Sequence, residues 1–291
     1  MAEIQMPSSY FGKTVNSVSA LLENIKDWHD KHKIVGPDSH TRVWYRGHED
    51  TKYRLLPGVY RDRFTEAAER IYTYTDSTED KRLALERDML MDFQTAGATL
   101  VGSERAVDVY FVAQHYGMPT RLLDWTTNPL AALFFAVRAE EKHHLDADLF
   151  LMDAPKLLPG HTKTGVDDKY PTYIVGIRHP YATDAIGESF WLRRRFRDAS
   201  WNLPEKSPIL PIRPDNRAGR IAQQSSCFTL HMHGSGPCEN KTLNRIKVEG
   251  MAKKNILEEL RKLNINEFSI YNDLDHLSKE VRRTRGLLLT A

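Results

Sequence analysis

Hydrophobic positions along this 291-residue chain follow two patterns, one with helical spacing and one that alternates. Val18, Leu21, Leu22, Ile25 and Trp28 predict a first helix, with Ser17 or Ser19 as N-cap. A loop at Gly36, Pro37 and Asp38 follows, then a short strand from Arg42 to Arg46 that ends at Gly47. The charged stretch 61–100 predicts two helices, with Leu83, Leu85, Met89, Leu90 and Phe93 as one apolar stripe. Val107, Tyr110, Phe111 and Gln114 predict a further helix over 104–116. Arg121 to Trp125 reads as a buried strand. Asn128 then opens a helix with Pro129 at its first position, where a missing N–H costs nothing, and Leu130, Leu133, Phe134 and Val137 face a core.

Asp148 to Met152 and Thr172 to Ile177 are predicted strands. The Pro- and Arg-rich region 178–215 reads as irregular, a functional loop or insertion. Cys227 to His233 and Asn244 to Val248 alternate as strands. Lys253 to Leu263 is an amphipathic helix with Ile256, Leu257, Leu260 and Leu263 on one side, and a last helix spans about 272–284. No internal repeat or low-complexity segment interrupts this order. Strands and helices mix without strict βαβ alternation, so the expected fold class is α+β.

The length suits one large domain or two modest ones. Lys plus Arg number 41 and Asp plus Glu 39, for a net charge of +2; hydrophobic residues make up 41% and charged ones 27%. That balance excludes a disordered chain, a collagen-like fibre and a highly basic nucleic-acid coat. The neutral total hides an asymmetry. Residues 191–291 hold 19 basic and 11 acidic residues, whereas 1–190 hold 22 and 28. The sharpest basic cluster is Arg193, Arg194, Arg195 and Arg197, next to Phe196 and Trp201. Arginines among aromatics suit phosphate contact with base stacking, but a solvated helix face above two core aromatics is the reading the sequence alone puts first.

Two cysteines, Cys227 and Cys238, exclude a disulfide scaffold and a Cys-rich zinc module and fit a reducing compartment. The opening MAEIQMPSSYFGK does not read as a signal peptide. The longest apolar run, Leu130 to Val137, is far below the roughly 18 residues of a membrane helix, so a soluble cytoplasmic protein is expected. No phosphate-binding glycine-lysine loop, GxGxxG, GxSxG or HExxH motif occurs. His143-His144 and His231-Met-His233 are the nearest His pairs, without an evident third ligand, so no metal is expected.

Three constellations carry chemistry. Tyr45-Arg46-Gly47 ends a strand: the guanidinium fork suits a phosphate, and the glycine allows close approach of a backbone or ligand. It also fits a structural salt bridge. Arg121 to Asn128 runs from a buried strand through Asp124, Trp125, Thr126 and Thr127 into a helix N-terminus, gathering donors, acceptors and a positive dipole end. Capping by Thr127 or Asn128 accounts for part of it. Arg121 and Asp124, amid apolar neighbours, require partners. Arg220 to Phe228 places Gln223 and Gln224 before a strand; a buried amide binds hydroxyls or a base edge, or simply secures the strand entry.

Together these residues resemble the FRG domain family, named for an aromatic-Arg-Gly motif that stands here as Tyr45-Arg46-Gly47. The likeness runs through His115 to Leu130 (HYGMPTRLLDWTTNPL), returns at Arg220 to Phe228, and continues in ILEELRKLNI and FSIYNDLDHLSKEV, over roughly 40–285. A second, weaker resemblance is to the ADP-ribosyltransferase superfamily, with a split β-sheet core surrounded by helices. In that superfamily an early strand ends in Arg or His, a middle strand carries hydroxyls ahead of an Ala-x-x-Phe helix, and a late strand carries Glu. Arg46, then Trp125-Thr126-Thr127 with Ala131/Ala132 and Phe134/Phe135, then Gln224 follow that order. The implied division is an N-terminal helical segment, 1–39, and an FRG/ADP-ribosyltransferase-like domain, 40–291.

The resemblance implies NAD as co-substrate and cleavage of its nicotinamide–ribose bond through an oxocarbenium-like transition state. Arg46, Asp124 and Gln224 are then the candidate catalytic residues. Arg46 suits the pyrophosphate or ribose, the backbone near Gly47 the carboxamide, Thr126 the ribose hydroxyls, and Tyr116 or Trp125 the nicotinamide ring; Tyr45 and Arg121 complete the candidate NAD-binding set. Gln224 departs from the usual Glu and carries no charge, so Asp124 is the first candidate to supply it. The functional expectation is an NAD-dependent ADP-ribosyltransferase acting on a macromolecule, nucleic acid favoured over protein, as a bacterial toxin or anti-phage effector with a neutralising antitoxin. Arg193, Arg194, Arg195 and Arg197 would contact nucleic acid. The alternatives are a non-catalytic nucleotide- or RNA-binding module and a simple NAD hydrolase.

Overall fold

Ser17 accepts the Ala20 N–H and so starts α1, Val18–His32, which buries Val18, Leu21 and Trp28 along one face. A short turn, α2 (Ser39–Arg42), leads into β1, Val43–His48. Then come α3 (Asp62–Ile71), α4 (Thr78–Ala96), α5 (Ala98–Val101) and α6 (Ala106–His115). Strand β2 (Leu122–Thr126) is followed by α7 (Pro129–Val137), whose N-cap Asn128 accepts N–H bonds from Leu130 and Ala131. The chain goes on through β3 (Ala147–Asp153), β4 (Val175–Gly176), β5 (Ile209–Arg213), β6 (Ser226–His231) and β7 (Asn244–Val248). It ends in α8 (Lys253–Lys262), α9 (Glu267–Tyr271) and α10 (Leu274–Thr284). This computed structural model describes residues 4–36, 39–75, 77–101, 106–157, 175–176, 209–213, 225–231 and 242–287.

Among the described residues, seven strands form one sheet in the order β4-β5-β6-β2-β1-β3-β7. Every pairing is antiparallel except β4 with β5. The α+β expectation therefore holds. The ladders are unequal: β1 pairs with β3 at six positions and β2 with β6 at five, but β1 meets β2 only at Tyr45↔Thr126. The sheet is thus two well-laddered halves joined at one residue pair.

Each half has its own helical cover. Helices α1, α7 and α8 pack Leu21, Trp28, Leu133, Phe134, Ile256 and Leu257 against Val43, Tyr45, Leu149, Leu151 and Ile246 of the β1-β3-β7 half. Helices α4 and α6 pack Leu90, Val107, Tyr110 and Phe111 against Leu122, Leu210, Ile212, Phe228 and Leu230 of the other half. Behind the sheet, Trp44, Leu123, Trp125, Phe150 and Met152 form a third cluster. The N-terminal segment joins the first core through Val15, Val18, Leu21 and Ile34. No described helix is long and apolar enough to cross a membrane.

Three expectations need correction. Region 178–215 is not wholly irregular, because Ile209–Arg213 is a buried strand paired with β6. On α4 the buried positions are Arg82, Ala84, Glu86 and Leu90, so the buried face of the helix carries charge as well as Leu90. Leu263 lies past the end of α8 and is half exposed.

Candidate functional site

The site begins where the two halves part. Continuing the register from Tyr45↔Thr126 would set Gly47 opposite Asp124. The Asp124 carbonyl instead accepts from Arg46 Nη1 at 2.6 Å, so a side chain replaces the next rung. Gly47 lets β1 lie against α7 at this point. A Cβ there would fall on the carbonyl of Ala132 and 2.7 Å from the Ala136 nitrogen, so only glycine lets α7 lie directly on β1. The close approach foreseen for Gly47 is that of a helix backbone.

Arg46 is positioned from its other edge too. Its Nε donates to His48 Nε2 at 2.9 Å, and His48 Nδ1 donates to the Tyr53 carbonyl at 3.2 Å. That pair of bonds makes His48 a neutral imidazole. Burial, then the charge of Arg46, pushes its pKa down to about 3. Burial lowers Arg46 to about 10; Asp124 opposes the shift and Arg61 adds to it. Arg61 acts on both groups and itself makes no ion pair among the described residues.

Above this junction lies an open cavity of about 1090 Å³. One wall is β1 and the loop after it, from Tyr45 to Tyr53, with Arg61 beyond. A second is the end of α6, Gln114 to Gly117, with Asp124 to Thr126 of β2. The third is Ala132, Phe135 and Arg138 together with Tyr271, Asp273 and His276 from the C-terminal helices. Glu49 accepts from Lys142 at 2.8 Å and lies 3.4 Å from Arg138, tying the first wall to the third.

The expected residues divide clearly. Arg46, Asp124, Tyr45, Gly47, Tyr116, Trp125 and Thr126 all line the cavity. Asp124 is not enclosed by apolar neighbours: 57% of its side chain is exposed, Gln114 Nε2 donates to it at 2.9 Å, and Arg46 Nη1 is 3.9 Å away. Tyr116 is 70% exposed, and its ring meets that of His115 edge-on with centroids 5.3 Å apart. Thr126 is buried and its hydroxyl accepts the Asn128 N–H at 3.0 Å, making it part of the turn into α7. Trp125 is buried in the rear cluster and its indole N–H donates to Thr229, so it is no stacking platform. Tyr45 is likewise buried, its hydroxyl 3.3 Å from His29 Nε2.

Arg121 requires correction. It is 1% exposed and bonded to Glu86 at 2.9 Å, with Tyr110 donating to the same carboxylate at 2.5 Å. It holds α4, α6 and β2 together and does not reach the cavity. Gln224, Arg193, Arg194, Arg195 and Arg197 lie outside the described residues. Sequence reasoning missed Arg61, Gln114, Arg138, Tyr271, Asp273 and His276. It also missed His48, although strand alternation from Arg46 puts both side chains on one face. Among the described residues no three His, Cys, Asp or Glu side chains assemble as a metal site.

Residues 41–145 match the family model of the FRG domain. Over these residues the chain is similar to the FRG domain. Its matched residues supply β1, β2, the intervening helices and α7, hence the divergence, Arg46 and two of the three cavity walls. The pieces of the third wall at Tyr271, Asp273 and His276 lie beyond the FRG match. No curated protein and no solved structure matches the chain.

Proposed function

We propose that the cleft of this protein binds NAD and that the protein transfers ADP-ribose from it to a macromolecule. The carrying observation is the guanidinium pair in the cavity wall. Arg46 and Arg61 both line the cavity, the charge of Arg61 disfavours that of Arg46, and among the described residues Arg46 has only the Asp124 carboxylate at 3.9 Å as counter-charge. A pyrophosphate would relieve that repulsion through charge-assisted hydrogen bonds. The volume, about 1090 Å³, accommodates a dinucleotide, and the rings of Tyr53, Tyr116 and Phe135 offer stacking surface.

A sheet that parts after a single pair, with the cleft at the parting, is in keeping with the split sheet of an ADP-ribosyltransferase-like core. In the reaction the bond between nicotinamide and ribose breaks and nicotinamide leaves with the electron pair. The acceptor atom bonds to the same ribose carbon and gives up its proton. Asp124, exposed in the cavity, would face the positive charge that develops on the ribose. The basic C-terminal third favours a nucleic-acid acceptor over protein, and modification of such a target suits a toxin or anti-phage effector kept in check by an antitoxin.

One observation favours a second reading, a nucleotide-binding module without turnover. Arg46 is already committed to the Asp124 carbonyl and to His48, as a structural arginine would be. Incubation of the purified protein with NAD separates the two. The transferase reading expects nicotinamide release that falls about a hundredfold in Asp124→Asn, with NAD affinity retained. Binding without release in the wild type leaves the module; a wild-type rate preserved in Asp124→Asn removes Asp124 from the chemistry.

A further inference from the structure

On the proposed transferase reading, we infer that His276, held by Asp273, is the general base that takes the proton of the acceptor. Asp273 caps α10: its Oδ1 accepts the His276 backbone N–H at 2.8 Å and also lies 2.7 Å from His276 Nδ1. The bond to Nδ1 fixes the proton there and leaves Nε2 with its lone pair. The ring stacks on Tyr271, centroids 4.3 Å apart and planes within 18°. Tyr271 is in turn held by Arg138, whose Nη1 donates to its hydroxyl at 2.6 Å. His276 keeps 22% of its side chain exposed, and both His276 and Asp273 line the cavity that contains Arg46 and Asp124. A cap alone needs only the backbone bond. The second bond orients an imidazole beside a cleft, as a base and its orienting carboxylate require.

The step balances. An acceptor O–H or N–H attacks the ribose carbon, the bond to nicotinamide breaks with its electron pair leaving on nicotinamide, and the acceptor proton passes to Nε2. The resulting imidazolium is stabilised by Asp273 through Nδ1. The charged groups packed around this unit are Asp273 on its own helix, Arg138 across the Tyr271 ring, and Glu49 and Glu267, which act on Tyr271 from the first wall and from α9.

Water is the acceptor in the test, so the probe is NAD alone, with nicotinamide release followed against pH. His276→Gln is expected to lower kcat by about a hundredfold with the NAD dissociation constant unchanged, and to abolish the fall of the wild-type rate on the acid side. Asp273→Asn retains the cap and is expected to lower kcat by a smaller factor. A His276→Gln rate within threefold of wild type, or an unchanged acid limb, overturns the base and leaves the transferase standing. A wild type that binds NAD yet releases no nicotinamide overturns the transferase, and the base with it. Nitrogen NMR of the imidazole, without NAD, gives a separate readout: the Nδ1–H tautomer is expected, and an Nε2–H tautomer contradicts the assignment.

Discussion

Single residues in this fold hold titratable groups where the surroundings are apolar, and two such places set measurable consequences. Glu86 and Arg121 are both 1% exposed and bonded at 2.9 Å. Burial, then the Glu86 charge, raises Tyr110 well above its ordinary value, so its hydroxyl stays a donor to that carboxylate. Removing one partner leaves a buried charge, so Glu86→Gln is expected to cost about 3–5 kcal/mol in urea unfolding. A loss below about 1 kcal/mol would contradict a buried pair. His48 makes stability depend on pH. Its folded pKa of about 3 lies below the unfolded 6.5, so the unfolded chain binds the proton first. Its contribution is complete above the unfolded value and declines as pH falls towards the folded one. At about pH 5 the loss is about 2 kcal/mol, and His48→Gln is expected to flatten that part of the urea-midpoint curve. An identical slope in both proteins would refute the assignment.

Elements were largely legible because their signals are local. Ser17 capping α1, Asn128 with Pro129 opening α7, and alternation at Asn244–Val248 each reside in neighbouring residues. Pairing partners were not legible. A strand arginine that meets a ligand and one that meets a glutamate 35 positions away look alike in sequence, which is why Arg121 is misread. The buried polar face of α4 is hidden for the same reason: Arg82 and Glu86 belong inside only once Thr65 and Arg121 are opposite them. Helix α7 offers two tests. Asn128→Ala is expected to cost about 1 kcal/mol in chemical unfolding through loss of the cap. Gly47→Ala drives a methyl into the α7 backbone and is expected to cost about 3 kcal/mol and to weaken NAD binding as β1 and α7 separate. Unchanged stability in Gly47→Ala would mean that the helix does not rest on the strand.

At the scale of the whole molecule, the proposed function rests on how two half-sheets are joined. Each half buries its own helices, and the single pair Tyr45↔Thr126 leaves a cleft between α6 and α7. The motif residues Arg46, Gly47, Asp124 and Thr126 gather there from two distant segments, as the aromatic-Arg-Gly and Leu-Leu-Asp-Trp-Thr motifs implied. The third wall was not foreseen, because Arg138, Tyr271 and His276 become neighbours only when the C-terminal helices fold back over α7. The central claim is that this cleft is a nucleotide site organised by Arg46 and Arg61. Calorimetric titration of NAD into wild type and Arg61→Ala tests it most directly. The account expects saturable binding to wild type and an affinity at least about tenfold lower in the variant, the loss of one charge-assisted phosphate contact. No binding to wild type, or equal affinity in the two proteins, would contradict it.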